Sequence, residues 1–236
     1  MSVPQQVTHI LFDFFGTLVA YSDRRVDEGF RQSYELLLER GANMSYADFV
    51  ERWARSFDEL ELRAQADLDE YSMDAVCAQF LTRVLPRMPD DEVVSLFRDT
   101  YLREWNQGVE YVPGVRELVL ELADSFTLAL VTNTHHAALI HSHLHAMGVA
   151  DCFATVVTSV EHGKRKPSAC IFARALALTR GSPETSIYIG DSFSADYVGA
   201  KNAGLRCLLL DADRRYDVPE AARIAHVLDA RMRLFG

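Results

Sequence analysis

His9-Ile10-Leu11-Phe12 is a short apolar run of β-formers that stops at Asp13 and is followed by Gly16-Thr17. That pattern reads as a buried strand feeding a tight loop. From about residue 22 to residue 105 the texture turns helical. Val26, Phe30, Tyr34, Leu37 and Leu38 recur at helical spacing, and Gly41 offers a stop. Ser45-x-x-Asp48 has the form of a capping box, with Asp in the usual Glu or Gln position, ahead of Phe49, Trp53, Phe57 and Leu60. Ser72 is placed to cap a third helix through Val76, Phe80 and Val84. Pro89-Asp90-Asp91-Glu92 opens a fourth, with acids where the helix dipole favours them. Four helices without an intervening strand predict a helical cap.

After Tyr111-Val112-Pro113-Gly114, helix and strand alternate. Phe126 to Val131 is an apolar run ending in Thr132-Asn133. Ala154 to Val157 is another, Ile187 to Ile189 ends in Gly190-Asp191, and Leu208 to Leu210 ends at Asp211. Helical stretches around 114–123, 135–147, 168–179 and 196–203 separate them. This alternation predicts an α/β fold with a parallel sheet covered on both faces. Ligands of such sheets sit beyond the carboxyl ends of the strands. Asp13, Thr132 and Asp191, each ending a run, are therefore expected to converge on one crevice.

Composition narrows the class. The chain has 236 residues, 49% of them apolar and 25% charged, which suits a globular domain with a smaller insertion. A formal net charge of −10 repels phosphate backbones, so nucleic acid is not an expected partner. The run from Ile10 to Tyr21 is interrupted by Asp13 and is too short for a bilayer, and no signal-like segment opens the sequence. Cys77, Cys152, Cys170 and Cys207 show no metal-ligand spacing and read as buried reduced thiols. No membrane partner and a cytoplasmic location are the expectations.

Several residues at the crevice carry chemistry. A carboxylate at Asp13 suits a nucleophile that divides one displacement into two, although a turn-capping Asp is the commoner fate of such a residue. Asp191 and Asp196 are five residues apart across a strand-to-helix loop and can face one hard cation. Magnesium needs only one or two carboxylates and a substrate oxygen, and helix capping is the alternative for these acids. Lysine is scarce: only Lys164, Lys166 and Lys201 occur. Lys166, just before Pro167, would offset the carboxylates and an incoming phosphate. Thr132 and the backbone amide of Asn133 would donate to phosphate oxygens. His135 and His136 lie close enough in sequence to touch a substrate. Arg24, Arg25 and Arg31 enter the cap near the crevice, where they meet either an anionic substrate or neighbouring acids. His141, His143 and His145 alternate, cannot share one helix face as ligands, and read as surface residues.

Together these features resemble the haloacid dehalogenase superfamily over nearly the whole chain. Its four motifs stand in order as Leu-Phe-Asp13-Phe-Phe-Gly-Thr17-Leu, Leu-Val-Thr132-Asn, Gly-Lys-Arg-Lys166-Pro and Ile-Gly-Asp191-Ser-Phe-Ser-Ala-Asp196. Val112-Pro113-Gly114, Ile171-Phe172 and the stretch from Gly199 to Gly204 agree as well. The resemblance implies a Rossmann-like core over 1–20 and 107–236, with a four-helix cap inserted at 21–106. It also implies roles: Asp13 as nucleophile, Thr132 and Lys166 as phosphate binders, Asp191 as a Mg2+ ligand and Asp196 as a ligand or anchor. The fourth element of the metal set would be the backbone carbonyl of Phe15, which survives any side chain.

The Phe15 side chain departs from the pattern. Phosphatases of the family carry a second Asp there as general acid and base, a contribution of ~10²–10⁴ in rate. An aromatic residue is closer to the metal-independent 2-haloacid dehalogenases, which have Tyr and whose halide leaves unprotonated. Those have a less acidic fourth motif. The phosphonate-cleaving branch uses a cap lysine, and this cap contains none. Motif four therefore predicts a magnesium-dependent phosphohydrolase acting on a small phosphorylated metabolite through an aspartyl-phosphate. A haloacid dehalogenase-like hydrolase and a catalytically weak ligand-binding protein are the alternatives.

Overall fold

The computed structural model describes residues 6–22 and 29–235. Val26, Arg24 and Arg25 lie outside them. The chain divides into two compact units, Met1–Ala20 with Tyr111–Gly236, and Tyr21–Glu110.

The larger unit is built on β1 (His9–Phe12), β4 (Thr127–Thr132), β5 (Phe153–Thr158), β6 (Ser186–Gly190), β7 (Arg206–Leu210) and β8 (Arg223–Ile224). They form one sheet in the order β5-β4-β1-β6-β7-β8, with every pairing parallel. β2 (Val19–Tyr21) and β3 (Val109–Tyr111) form a separate two-stranded sheet where the chain passes between the units. The sheet strands are buried on both faces, as their unbroken apolar runs require. Leu11, Ala129, Val131, Tyr188 and Cys207 pack one face against α8 (Ala169–Thr179) and α9 (Gly199–Asn202). Ile10, Phe12, Leu128, Leu130 and Ile189 are as deeply buried on the other side of the pleat. After β5 the chain crosses back to begin β6, so strand order reverses between β1 and β6. That is the switch point at which such sheets open a binding crevice. Asp13 extends β1 there, its backbone N–H donating to the Ile189 carbonyl at 2.9 Å.

The smaller unit holds α1 (Arg31–Glu39), α2 (Tyr46–Asp67), α3 (Met73–Val84) and α4 (Asp91–Trp105). The caps read from sequence are present: Ser45 and Asp48 close a reciprocal capping box, and Ser72 accepts from Ala75 N; the fourth helix is capped by Asp90, which accepts from Val93 N. Trp53 is the hub of the interior, edge-on to Phe57, Phe80, Phe97 and Tyr101 at 4.7–5.3 Å between centroids. The first turn of α1 has no side-chain cap of its own. Glu104 of α4 supplies one, accepting from Gln32 N at 2.7 Å, Ser33 N at 3.0 Å and Ser33 Oγ at 2.6 Å. Glu104→Ala should therefore cost about 2–3 kcal/mol, because three donors, two of them buried on Ser33, lose a charged acceptor. Urea denaturation measures this, and an unchanged midpoint would show the carboxylate idle.

Two expectations are corrected. His143 is not a surface residue. With Ile140, Leu144 and Met147 it forms the buried face of α6 (Ala137–Met147), spaced i, i+3, i+4, i+7. Its Nδ1 lies 2.9 Å from the Tyr111 hydroxyl, and burial pushes its pKa down. The cysteines are all free thiols, but only Cys77 and Cys207 are buried; Cys152 is half-buried and Cys170 exposed. Cys170 sits in the opening turn of α8, where its Sγ lies 3.2 Å from His162 Nε2 and 3.0 Å from Ser168 Oγ. No helix among the described residues is long and apolar enough to cross a membrane.

Candidate active site

At the switch point two glycines let the acidic loops close on each other. A Cβ on Gly16, whose φ is +80°, would lie 2.3 Å from Asp191 Oδ2. One on Gly190 would lie 2.4 Å from Asp196 Cγ. Any side chain at either position would push an acid out of place. With both glycines in place, carboxylate oxygens of Asp13, Asp191 and Asp196 all lie within 4.8 Å of one another.

Lys166 binds this cluster from beneath. It is 3% exposed, and its Nζ donates to Asp13 Oδ1 at 2.7 Å, to Asp196 Oδ1 at 2.7 Å and to the Tyr188 hydroxyl at 2.9 Å. All three ammonium protons are thus used, and the solvated-lysine reading of this loop is excluded. The backbone of Lys166 is pinned as firmly. Its N–H donates to Asn133 Oδ1 at 2.8 Å, and its carbonyl accepts from Asn133 Nδ2 at 3.1 Å. The Asn133 side chain is therefore engaged in holding the lysine loop, whose Lys166–Pro167 bond is cis.

Asp196 is fully buried and committed on both oxygens. Oδ1 meets Lys166 and the Tyr188 hydroxyl, and Oδ2 accepts from Ser192 N at 2.9 Å. It stands in a π-helical turn, Phe193–Val198, capped by Ser192 Oγ. Such wide turns recur at functional sites. Tyr188 belongs to this network although sequence pattern alone does not mark it. Its hydroxyl also lies 2.9 Å from the Val131 carbonyl, and its ring is edge-on to Phe172 at 5.1 Å. Period-two alternation gives the available signal: a phenol in mid-strand on a buried face needs a polar partner.

The charges do not balance. Three carboxylates face one ammonium, and burial raises the pKa of Asp13 to about 7, with Asp196 and Asp191 adding to it against the pull of Lys166. Burial, then the Asp196 charge, also raises Asp191. Burial opposes the Lys166 charge, but Asp13 and Asp196 outweigh it and hold the ammonium above its ordinary value. Left to itself the cluster would take up protons. A hard divalent cation removes the same excess, and a donor set made of carboxylate oxygens fits magnesium.

Thr132 is buried at the end of β4, one strand away from Asp13. His135 is half-buried in the loop that follows it. Phe15 is half-buried too, edge-on to Phe14 at 5.0 Å and to His143 at 6.2 Å. Arg24 and Arg25, candidates for substrate contact, fall among the residues not described.

A parallel sheet with an inserted helical unit and an acidic, lysine-bound cluster at its switch point defines a Rossmann-like α/β protein with the layout of a hydrolase. The haloacid dehalogenase-like hydrolase family matches residues 7–204, and the chain belongs to that family. It is 27% identical over 124 residues to the ribulose-1,5-bisphosphate 5-phosphatase of Halopiger xanaduensis, a match covering 52% of each chain. It is 36% identical over 160 residues to the phosphoserine phosphatase of Thermus thermophilus, covering 57% of this chain and 63% of that one. The chain spans about half the length of several curated relatives it matches. Among solved structures, a 2-haloacid dehalogenase from Pseudomonas syringae superposes with a TM-score of 0.74 at 21% identity, over 97% of this chain and 98% of that one. That likeness is one of fold.

Proposed function

We propose that this chain is a magnesium-dependent phosphohydrolase that forms an aspartyl-phosphate on Asp13 from a small phosphorylated metabolite. The observation that carries the reading is the buried excess of acid: three clustered carboxylates, two of them paired with the one lysine, with both Asp13 and Asp191 pushed toward protonation. A divalent cation would offset that excess, whereas a metal-free hydrolase would have to carry it partly protonated. The phosphatase names among the relatives support the same substrate class.

Asp13 Oδ2, the oxygen not bound by Lys166, attacks phosphorus; the Asp13 O–P bond forms as the bond to the leaving oxygen breaks. Lys166 fixes the Asp13 carboxylate and places its positive charge near the phosphoryl group, while Thr132 donates a hydrogen bond to a phosphoryl oxygen. Water then attacks phosphorus, releasing phosphate and restoring the carboxylate. A bound magnesium ion, held by Asp13, Asp191 and the Phe15 carbonyl, would supply the positive charge that lets a carboxylate approach a phosphate. Asp196, committed to Lys166, Tyr188 and Ser192 N, anchors the lysine.

Phe15 donates no proton, so the leaving group departs with a proton from water or from the substrate itself. Acyl phosphates suit this best. Phe15→Asp is expected to raise kcat for ordinary phosphate monoesters by about 10²-fold, the lower end of what a positioned acid and base contributes. Steady-state assays with glycerol phosphate decide it; an unchanged or lower kcat would show that another group already fills the role.

The same Phe15 favours a second reading, displacement of halide from a 2-haloacid without metal. Chloride release from 2-chloropropionate in EDTA would select it. Under the first reading EDTA abolishes turnover, added magnesium restores it, and no chloride appears.

A further inference from the structure

A cavity of about 330 Å³ opens on the larger unit beside the acidic cluster, with Gly16 and Asp191 in its wall. Its size is at the small end of ligand pockets, roughly 300–1,000 Å³. The loop after β7 forms another wall and is held in place by several devices. Asp211 is buried; its Oδ1 accepts from Arg215 N at 2.8 Å, and its Oδ2 accepts from Tyr216 N and Arg223 Nε, each at 3.2 Å. Arg214 takes the left-handed conformation, with φ of +54°. Tyr216 lies flat on Phe193 at 4.6 Å and 9°, and the Arg215 guanidinium sits 5.7 Å from the centre of the Tyr216 ring. These contacts tie the loop to the fourth motif, since Phe193 lies between Asp191 and Asp196.

The anchored loop brings Asp213 and Arg215 to the cavity. They are opposite charges two residues apart, yet they do not pair with each other or with another charged side chain among the described residues. Thr17 also lines the cavity; it is 3% exposed, and its Oγ1 has no hydrogen-bond partner. A buried hydroxyl left unsatisfied points to a ligand that completes it. His226 accepts from Leu228 N at Nδ1, at 3.2 Å, which places its own proton on Nε2 as a further donor.

A ligand of one charge sign fits this lining badly. A second anion meets Asp213 and Asp191, and a cation alone meets Arg215. A group carrying both signs satisfies both. We propose that the cavity is the subsite for the non-phosphate end of the substrate, and that this end is an ammonium–carboxylate pair, as in a phosphorylated amino acid. Arg215 receives the carboxylate, Asp213 the ammonium, and Thr17 and His226 donate to the remaining carboxylate lone pairs. The proposal rests on the phosphohydrolase reading for the other end of the molecule.

Four probes separate the contributions: O-phospho-L-serine, phosphoglycolate with the carboxylate alone, phosphoethanolamine with the ammonium alone, and p-nitrophenyl phosphate with neither. Leaving aside p-nitrophenyl phosphate, whose phenolate departs without a proton, phosphoserine should have the highest kcat/KM. Arg215→Met should lower it by 10–100-fold, mainly through KM, as expected of about 1.4–2.7 kcal/mol of lost binding. The loss on p-nitrophenyl phosphate should be at least tenfold smaller. Asp213→Asn should spare phosphoglycolate relative to phosphoethanolamine, and Arg215→Met the reverse. Equal losses on all four probes, or none, overturn the subsite.

Binding calorimetry keeps this outcome separate from failure of the phosphohydrolase reading. If no ester turns over with magnesium, catalysis fails, but phosphoserine should still bind at least tenfold more tightly than phosphoglycolate or phosphoethanolamine, and Arg215→Met should erase the preference. Equal affinities, or no binding, overturn the proposal. Thr17→Val adds a fold-independent check. It should leave the Tm equal or higher, because it removes a hydroxyl without a partner, while weakening phosphoserine binding; unchanged binding counts against the site.

Discussion

Asp13→Asn is expected to lower turnover of every phosphate ester by at least about 10³-fold, or ~4 kcal/mol of barrier. The amide is isosteric, so the loop is retained. It is a far weaker nucleophile, and it gives Lys166 a neutral acceptor in place of a charged one at 2.7 Å. It also removes a carboxylate from a cluster with three acids to one ammonium. The variant should therefore be as stable as the parent, or more so, while losing its chemistry. Activity lost together with stability would instead point to a structural role for Asp13. Rates with acetyl phosphate, beside a urea titration, give both numbers.

Lys166→Met should damage both properties. The ammonium is 2% exposed at the side chain and is shared between Asp13 and Asp196. Removing one partner from a buried ion pair costs roughly 3–5 kcal/mol, because the remaining charges lose compensation. The sign of its pH dependence follows from the acids. Asp13 already titrates at about 7, and loss of the nearby positive charge raises it further. A carboxyl whose folded pKa lies above its unfolded value, about 4, favours the folded state at low pH and loses that contribution as pH rises through the folded value. The stability deficit of Lys166→Met should thus be smaller at pH 5.5 than at pH 8. A deficit independent of pH would mean that the acids do not depend on Lys166. Turnover should fall by about 10²–10³-fold at either pH, the scale of one preorganised electrostatic contribution, because the nucleophile loses its anchor and the site its positive charge.

The parts of this molecule written in local pattern were legible before any coordinates. The strand-ending polar residues Asp13, Thr132 and Asp191 come from abrupt stops in apolar runs, and Ser45 and Ser72 from capping grammar. Lys166 could be suspected from its rarity, but its burial could not. That burial depends on Asn133, thirty-odd positions away, gripping both sides of its peptide unit. Tyr188 was hidden because a phenol in an apolar strand counts as apolar in any periodicity. His143 differs from its histidine neighbours because it shares the buried helical face of Ile140, Leu144 and Met147, a period that the alternating histidines mask. The loop from Asp211 to Tyr216 carries no hydrophobic period at all. Its order comes from a buried carboxylate that accepts from the loop's own amides and from Arg223, and from an aromatic stack on the distant Phe193.

Phe15 links the chemistry to its clearest readout. Without a carboxylate at that position to activate water, breakdown of an acyl phosphate on Asp13 should be the slow step, so the phosphorylated protein should accumulate. Acid quenching during turnover of 32P-labelled acetyl phosphate with magnesium tests this directly. The account predicts near-stoichiometric label that is stable in acid, released by hydroxylamine and confined to the peptide bearing Asp13. Turnover without label, or label that persists in Asp13→Asn, would contradict it.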